Sequence, residues 1–578
     1  MFIASASQLS RFLRCTAALL TRFGLALSLL GGSAWAASPS DSSPAPDHAT
    51  LQLEPFIVSG FRSDLSWRYA RAGDYEVLTL CSTALTADVL EALQRGHAMI
   101  PPAFQVKRTE PMTVILFDES AAQDPTRPKA VRRVASGDSR YGPNHFNISR
   151  LVEHEITSDR EHLFYAACIP AGSDWSTVSF GHAFQSFDEL APSPARWLQE
   201  GLWGEQGLYA EGAMHRQGDA VKLPSMLWLT EAETAKIGRQ ANYSSTFIPL
   251  AEFFIGVVPD PATSPDAYQR WQAQAALFVR WALVADKKVP FGADAFWRFA
   301  YEAGRSRASE ALFRECFQRT YDEALRELQA YLRVAATRPV DIGLPGLHQS
   351  SELRRLKLRP ATEAEVARLK GNYERMEANR LKADHPKLAQ QYEGEARRTL
   401  KRGLKATDHD PQLRGILGLL EFDAGNLAEA RPHLEAAAAA NLAGTHALLA
   451  LARLRLDEER ARLPADAKLS AAALEQVLTP LFAARERRPS VVDVYLLIAE
   501  AWGLSATPPT RGNLSVLIEG TEFFPHDPTL LLRAAKLHAR NGFTTETVVL
   551  AELGMKTSGD PAAKARFAEI INAGSPSP

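Results

Sequence analysis

Residues 411–440, PQLRGILGLLEFDAGNLAEARPHLEAAAAA, decide the fold of the C-terminal part of the chain. Apolar and small residues in this stretch fall at helical spacing. The same residue types recur 34 residues apart, in the pairs Ala396 and Ala430, Leu400 and Leu434, and Gly403 and Ala437. Leu451-Ala452 continues the register 34 residues after Leu417-Gly418. A fixed period of this kind predicts helix pairs that stack into an array.

The pattern resembles the tetratricopeptide repeat, whose unit of about 34 residues places small residues where its two helices cross. The resemblance covers roughly 362–573, with a predicted longer loop near 457–469. Arg414 and Glu421 depart from the family, since large aromatic residues are usual there. The resemblance implies an all-α, tetratricopeptide-like solenoid over 353–578 that binds a protein or peptide partner on its concave surface. A non-repeating helical bundle is the alternative.

Toward the N-terminus the pattern becomes mixed. Tyr75–Leu80 and Met112–Phe117 are short apolar runs typical of strands, and His162–Cys168 is a third. A helix is predicted over 85–99, between the first two strands. This order predicts a small sheet with helices. The polar stretch Asp138–Arg160 is interpreted as a solvated loop.

The period is helical again from about Trp175. Helices are predicted over 174–187, 194–210, 246–257, 265–286, 292–303 and 308–334. Residues 336–352 contain two prolines and two glycines without periodicity, so they are predicted to form a linker between domains. The expected fold class is therefore an α+β domain over 51–335 followed by the all-α domain over 353–578.

The segment Trp175–Gly212, WSTVSFGHAFQSFDELAPSPARWLQEGLWGEQGLYAEG, resembles the gluzincin-type metallopeptidases grouped as peptidase-MA-like. Those proteins carry H-E-x-x-H on one helix and W-x-x-E-G on the next. The two His and the Glu of the second helix bind zinc, and the Glu between the two His activates water. Trp197–Gly201 matches the second helix, so the resemblance implies Glu200 as a zinc ligand. His182 falls at the second His, and the resemblance covers about 66–335.

Two essential positions depart from this motif. Val178 stands where the first His is expected, and Ser179 stands where the catalytic Glu is expected. Valine cannot bind zinc, and serine is a poor substitute for a carboxylate base. Two remaining ligands do not make a catalytic zinc site. The resemblance therefore implies a catalytically inactive domain without a cofactor, in which His182 and Glu200 are vestigial metal positions.

Two other functions stay open. An active zinc-dependent hydrolase or peptidase would need ligands from elsewhere, such as His154 or His162. A pure scaffold would use both halves as spacers in an envelope assembly. If the domain is not catalytic, His182 is a hydrogen-bonded histidine beside aromatic residues and Glu200 caps a helix or pairs locally. Trp197 then belongs to the core and fills the space between two helices.

Residues 1–36 have the tripartite order of a secretory signal. Three arginines are its only charges, an apolar run covers 23–30, and Ala34-Trp35-Ala36 fits a small-x-small cleavage site. The apolar run is too short to span a bilayer, which takes about 20 residues. We therefore expect an exported protein of the bacterial periplasm or exterior, with a Ser/Pro-rich linker at 37–50 and no transmembrane segment after cleavage. A buried N-terminal helix is the alternative.

Composition excludes some classes of protein and partner. The 578 residues carry a net charge of −2, which the loss of three arginines with the leader lowers to −5, so nucleic acid is not an expected partner. Charged residues at 23% and hydrophobic residues at 46% exclude wholesale disorder. Cys15 leaves with the signal, and the remaining Cys81, Cys168 and Cys316 allow at most one disulfide.

Overall fold

The computed structural model describes residues 66–127, 153–169, 189–202, 216–223, 247–283, 292–343 and 353–574, apart from interruptions of one or two residues. The predicted signal, the predicted linker at 37–50 and residues 174–188 lie outside the described residues. The chain divides into two compact units. One comprises Met1–Asp64 and Val258–Trp271, of which the start of a helix at Pro265 is described. The other comprises Leu65–Val257 and Gln272–Pro578, and it contains the sheets and the C-terminal helices.

A six-stranded mixed sheet forms the N-terminal part of this larger unit, with strand order β4-β5-β3-β2-β1-β9. Its strands are β1 (Arg68–Ala72), β2 (Tyr75–Thr79), β3 (Met112–Phe117), β4 (Glu153–Ser158), β5 (Leu163–Cys168) and β9 (Arg359–Pro360). The central strands β2, β3 and β5 are parallel, and the outer pairs are antiparallel. Helix α1 (Thr83–Ala98) connects β2 to β3. The three predicted strands and the helix between the first two are confirmed.

A second sheet has three antiparallel strands, β6 (Arg216–Gln217), β7 (Ala220–Leu223) and β8 (Val340–Gly343). β8 lies inside the stretch 336–352 that was interpreted as an aperiodic linker. β4 likewise lies inside the polar stretch that was interpreted as a solvated loop, and that interpretation is wrong for Glu153–Ser158.

Besides the helical segment at 196–202, the described residues before β8 contain five further helices. They are α2 (Leu250–Ile255), α3 (Pro265–Leu283), α4 (Ala293–Arg305), α5 (Glu310–Phe317) and α6 (Tyr321–Thr337). The single helix predicted over 308–334 is therefore two helices. Gln318 takes a left-handed conformation with φ of 53°, which ends α5, and the side chain of Thr320 caps the first turn of α6.

The C-terminal part is helical, as predicted. Its helices are α7 (Glu363–Val366), α8 (Asn372–Leu381), α9 (Pro386–Thr407), α10 (Pro411–Asp423), α11 (Leu427–Ala439), α12 (Thr445–Arg462), α13 (Ala471–Arg485), α14 (Val492–Gly503), α15 (Arg511–Phe523), α16 (Pro528–Arg540), α17 (Thr544–Thr557) and α18 (Pro561–Gly574). A π-helical turn, Ala367–Gly371, joins α7 to α8. The loop predicted near 457–469 begins later than expected, because α12 continues to Arg462.

Two leucines in equivalent positions of the 34-residue register each pack against a glycine. A Cβ on Gly418 would lie 2.8 Å from Cγ of Leu434, and one on Gly371 would lie 2.9 Å from Cγ of Leu400. Glycine therefore permits the close crossing of α10 with α11 and of the π turn with α9. The register seen in the sequence thus coincides with helix crossings.

Both faces of the six-stranded sheet are covered. On one face, Val89, Leu90 and Leu93 of α1 share a buried cluster with β2, β3 and β5. On the other face, apolar side chains of the π turn and α8 share a buried cluster with the sheet residues Leu78, Ile115 and Phe164. The helices after residue 363 therefore complete the core of the sheet. The boundary at 336–352 stays a prediction.

Candidate functional site

The helix that carries Glu200 is packed against α3 through aromatic and glycine contacts. Residues 196–202 are helical, and Trp197 is only 2% exposed. Its ring lies 5.3 Å from that of Phe278 and 5.7 Å from that of Phe299. A Cβ on Gly201 would lie 2.7 Å from the carbonyl oxygen of Ala275, so glycine allows the two helices to touch. The prediction that Trp197 belongs to the core is confirmed.

Glu200 already has polar partners. One carboxylate oxygen lies 3.5 Å from the guanidinium of Arg196, and the other accepts a hydrogen bond of 3.3 Å from Gln272. A carboxylate oxygen that accepts a hydrogen bond can still bind a metal, but the neighbouring cation of Arg196 opposes metal binding at Glu200. His182, Val178 and Ser179 lie outside the described residues, so their placement beside Glu200 stays a prediction.

The alternative ligands His154 and His162 lie on the hairpin β4–β5. His154 is in β4, where its backbone pairs with Ala167 of β5. Nδ1 of His162 lies 3.3 Å from the carboxylate of Asp159. Among the residues that the structure describes, no group of three His, Cys, Asp or Glu side chains is arranged to hold a metal ion.

Sequence analysis missed a cluster at the turn between β4 and β5, which contacts the C-terminal helices. The carboxylate of Glu161 accepts hydrogen bonds from the backbone amides of Thr445 at 2.8 Å and His446 at 3.3 Å. These are the first amides of α12, which have no partner within the helix. Gly444 precedes them, and a Cβ there would lie 2.8 Å from Cδ of Glu161. Glu161 therefore caps a helix that lies almost 300 positions later in the chain.

Asp159 joins the same turn to two helices. Its carboxylate lies 3.1 Å from Arg375 of α8, and its backbone carbonyl accepts a 2.6 Å hydrogen bond from Nε2 of His446 in α12. Burial alone would raise the pKa of Asp159, but the nearby His446, His162 and Arg375 hold that pKa well below its usual value. Burial conversely lowers the pKa of His162, yet the Asp159 carboxylate raises it overall. The turn therefore carries a partly buried anion that cationic groups stabilise.

Arg160 extends the contact to later helices. It adopts a left-handed conformation with φ of 72°, uncommon for a residue other than glycine. Its guanidinium donates a 3.4 Å hydrogen bond to the carbonyl of Ser490 and lies 5.4 Å from the ring centroid of Phe524. Its own carbonyl accepts a hydrogen bond of 3.1 Å from Arg108.

A second cluster lies between the sheet and α8, where the buried side of the helix is charged. Lys370 and Glu374 form an ion pair, and both are at least nine-tenths buried. Lys370 also lies 3.3 Å from Asp124 and donates a 3.0 Å hydrogen bond to Thr126. Burial lowers the pKa of Lys370, but the two carboxylates raise it overall, so the ammonium stays charged.

Glu377 continues this charged side one turn later. It accepts a hydrogen bond from Thr157 of β4 and pairs with Arg380. Glu155 of β4 accepts a 2.6 Å hydrogen bond from the hydroxyl of Tyr373. Burial, followed by the charge of Glu377, raises the pKa of Glu155. These contacts explain why β4 is polar in sequence although it lies in the sheet.

A cleft opens beside the turn. It lies between the sheet and the C-terminal helices, and its polar lining includes Glu161, His162, Arg368, Asn372, Gln412 and Arg487. Its inner volume is about 60 Å³, room for roughly four water molecules. Because acidic and basic groups both line it, the cleft has no strong preference for one sign of charge.

The cysteines have no role in these clusters. Cys81, Cys168 and Cys316 are all buried. Burial raises the pKa of Cys81 to about 11, so its thiol is protonated at neutral pH and a weak nucleophile.

The comparison with protein-family models finds no match to this chain, and neither does the comparison with curated proteins. In the described part of the chain, no helix combines the length and the apolarity that crossing a membrane requires.

Proposed function

We propose that this chain is an exported, non-catalytic binding protein. Its residues 51–335 are a degenerate gluzincin-type domain, and its helices over 353–578 are a tetratricopeptide-like region that engages a protein or peptide partner. The pairing of Glu200 with Arg196 and Gln272 carries the non-catalytic part of the proposal. Val178 and Ser179, in place of the first His and the catalytic Glu, support it from the sequence.

Metal analysis of the purified full chain tests this part. Because the cation of Arg196 opposes a second cation at Glu200, we expect no stoichiometric zinc and no change in metal content in Glu200→Ala. Glu252→Ala is the matched control, since Glu252 is exposed on α2. Zinc at one ion per chain that is lost in Glu200→Ala but not in Glu252→Ala would overturn the proposal. That result would favour a zinc hydrolase with His154 or His162 as an additional ligand.

The binding part rests on the successive helix pairs and on exposed apolar side chains. Leu427, which begins α11, is 47% exposed, and Leu442, in the loop after α11, is 52% exposed. A photo-reactive side chain at position 442 should cross-link to a partner in the exporting cell. The same side chain at Ile255 of α2, which is 42% exposed, serves as the control. Equal capture at both positions contradicts a role specific to the helical region.

Export is tested independently. If residues 1–36 are a signal, the mature chain begins at Ala37, and mass spectrometry of the protein from its native host should find this N-terminus. Recovery of the chain with residues 1–36 intact, in the cytoplasmic fraction, contradicts export.

A further inference from the structure

We propose that the turn between β4 and β5, residues 159–162, is a bound ligand of the helical region and occupies a recognition surface on it. This surface consists of Gly444–His446, Arg488–Ser490 and Phe524, and we call it the turn-binding surface. The proposal rests on the proposed role of the helical region in binding. The occupant is a segment of the chain itself.

The turn-binding surface is built from equivalent places in successive helix pairs. Its three parts lie where the chain enters α12, where it enters α14, and where it leaves α15 toward α16. Each part contacts the turn or the segment beside it. In the first part, the amide of Thr445 donates a hydrogen bond to Glu161. In the second, backbone carbonyls accept hydrogen bonds from Arg160 and Thr109. In the third, the ring of Phe524 lies against the guanidinium of Arg160. A row of loops that all reach one tight turn is the arrangement expected of a repeat array holding a ligand.

Gly444 shows that the surface is shaped for a carboxylate. Its φ is −71°, an ordinary value for any residue, so backbone freedom does not require glycine here. A Cβ here would instead overlap the carboxylate of Glu161, so a larger residue would force that carboxylate to move away. The start of α12 offers two amides that have no partner within the helix, together with the positive end of the helix dipole, and both features favour an anion. Glu161 supplies that anion and is 8% exposed.

The remaining contacts define the chemistry that the surface accepts. Asp159 faces Arg375 and His446 from the helical region and His162 from its own turn, and Arg375 is shared with Asp423 of α10. Arg160 meets a backbone carbonyl and an aromatic face. The recognised feature is thus a tight turn that presents two carboxylates on either side of a guanidinium. An external partner with such a turn would compete with residues 159–162.

Hydrogen exchange in the full-length Gly444→Ala chain tests whether Glu161 holds the amides of Thr445 and His446. The added methyl group should displace the carboxylate, and losing a cap of this kind should raise exchange at these amides roughly tenfold. Exchange at the amides of Arg488 and Ser490 should also rise. Gly394→Ala in α9 is the control, because a Cβ there meets no other atom within 4 Å. Unchanged exchange in a folded Gly444→Ala chain overturns the proposal.

A second measurement does not depend on the stability of Gly444→Ala. A cyclised peptide with the sequence of residues 156–165 is labelled, and its binding is followed by fluorescence anisotropy. The wild-type surface is already occupied, so the peptide should bind a full-length Glu161→Ala chain at least tenfold more tightly. Glu552→Ala on α17 is the matched control, since Glu552 is exposed and should behave as wild type. Equal binding to Glu161→Ala and wild type, or binding to neither, overturns the proposal.

These readouts separate the inference from the proposed function. Neither involves zinc, hydrolysis or an external partner. A chain that binds one zinc ion but also captures the peptide would refute the non-catalytic proposal and keep the turn-binding surface. A chain that cross-links a partner through position 442 but does not bind the peptide would support the proposed binding function and refute the turn-binding surface.

Discussion

Gly201 lies so close to α3 that a Cβ at this position would stand 2.6 Å from Cγ2 of Val279. The same Cβ would lie 2.7 Å from the carbonyl oxygen of Ala275. This is a backbone atom, so it cannot rotate out of the way as a side chain can. We expect Gly201→Ala to lower the free energy of unfolding by about 1–3 kcal/mol through overpacking. Urea unfolding followed by circular dichroism measures this. Gly394→Ala in α9 has open space around it and should be neutral or stabilising.

Lys370 should be essential for stability, since it lies between the carboxylates of Glu374 and Asp124. Lys370→Met leaves two buried acids without their cation, and we expect it to lower the free energy of unfolding by about 3–5 kcal/mol. Adding Glu374→Leu should recover part of this loss, because the uncompensated charge is removed with it. Lys536→Met on the exposed side of α16 is the control. A loss below about 1 kcal/mol in Lys370→Met would show that the pair is not buried.

The interaction of His162 with Asp159 should make stability depend on pH. The folded pKa of His162 is raised by Asp159, although burial opposes this, so its stabilising effect is present below the unfolded pKa of about 6.5. The effect is lost as the pH rises through the folded value. Wild type and His162→Gln should therefore differ by about 1 kcal/mol near pH 5.5 and by less at pH 9. Urea unfolding at a series of pH values measures the difference.

Asp159→Asn supplies the control for that experiment. The pKa of Asp159 lies well below its usual value, so the carboxylate is ionised throughout this pH range. In an Asp159→Asn background, burial should hold the pKa of His162 below its usual value, so the pH dependence should reverse and the stability of the chain with His162, relative to His162→Gln, should increase as the pH rises. A stability difference that still decreases with rising pH in that background would show that a group other than Asp159 is responsible.

A fragment that begins at residue 353 should not fold like the same helices in the whole chain. It lacks the sheet, so the buried side of α8 and the π turn before it would face water, including Leu369, Tyr373 and Met376. We expect α7, α8 and α9 to exchange amide hydrogens rapidly in the fragment, while α12 to α16 keep their protection. A fragment 353–578 with full protection in α8 would contradict this. Binding experiments should therefore use the full chain.

Sequence predicted the elements whose own side chains carry the signal. β2, β3 and β5 are buried on both faces, so they are continuous apolar runs. β4 was missed because Glu155 and Thr157, the positions that bond to α8, are polar. The charged side of α8 resembles a solvated surface until the sheet is placed against it. Only burial distinguishes a charged helix side that packs on a sheet from one that faces solvent, and burial cannot be predicted from the local sequence.

The same limit applies to the candidate site. Glu200 and Trp197 were singled out because a short motif contains them. Glu161 was not, because the amides that it caps belong to Thr445 and His446, which no local spacing connects to it. The one sequence feature that could have indicated this contact is Gly444. It precedes α12 at the capping position and has no side chain of its own to cap the helix.

The pairing of β1 with β9 means that the six-stranded sheet cannot be completed until late in translation. Tyr69 aligns with Arg359, so the strand that closes this edge of the sheet is translated some 290 residues after its neighbour. Until then the nascent sheet has an open edge and an uncovered apolar face, which are the features that promote aggregation. Such distant contacts also slow folding. Chains released before residue 359, by premature termination or proteolysis, should therefore be insoluble.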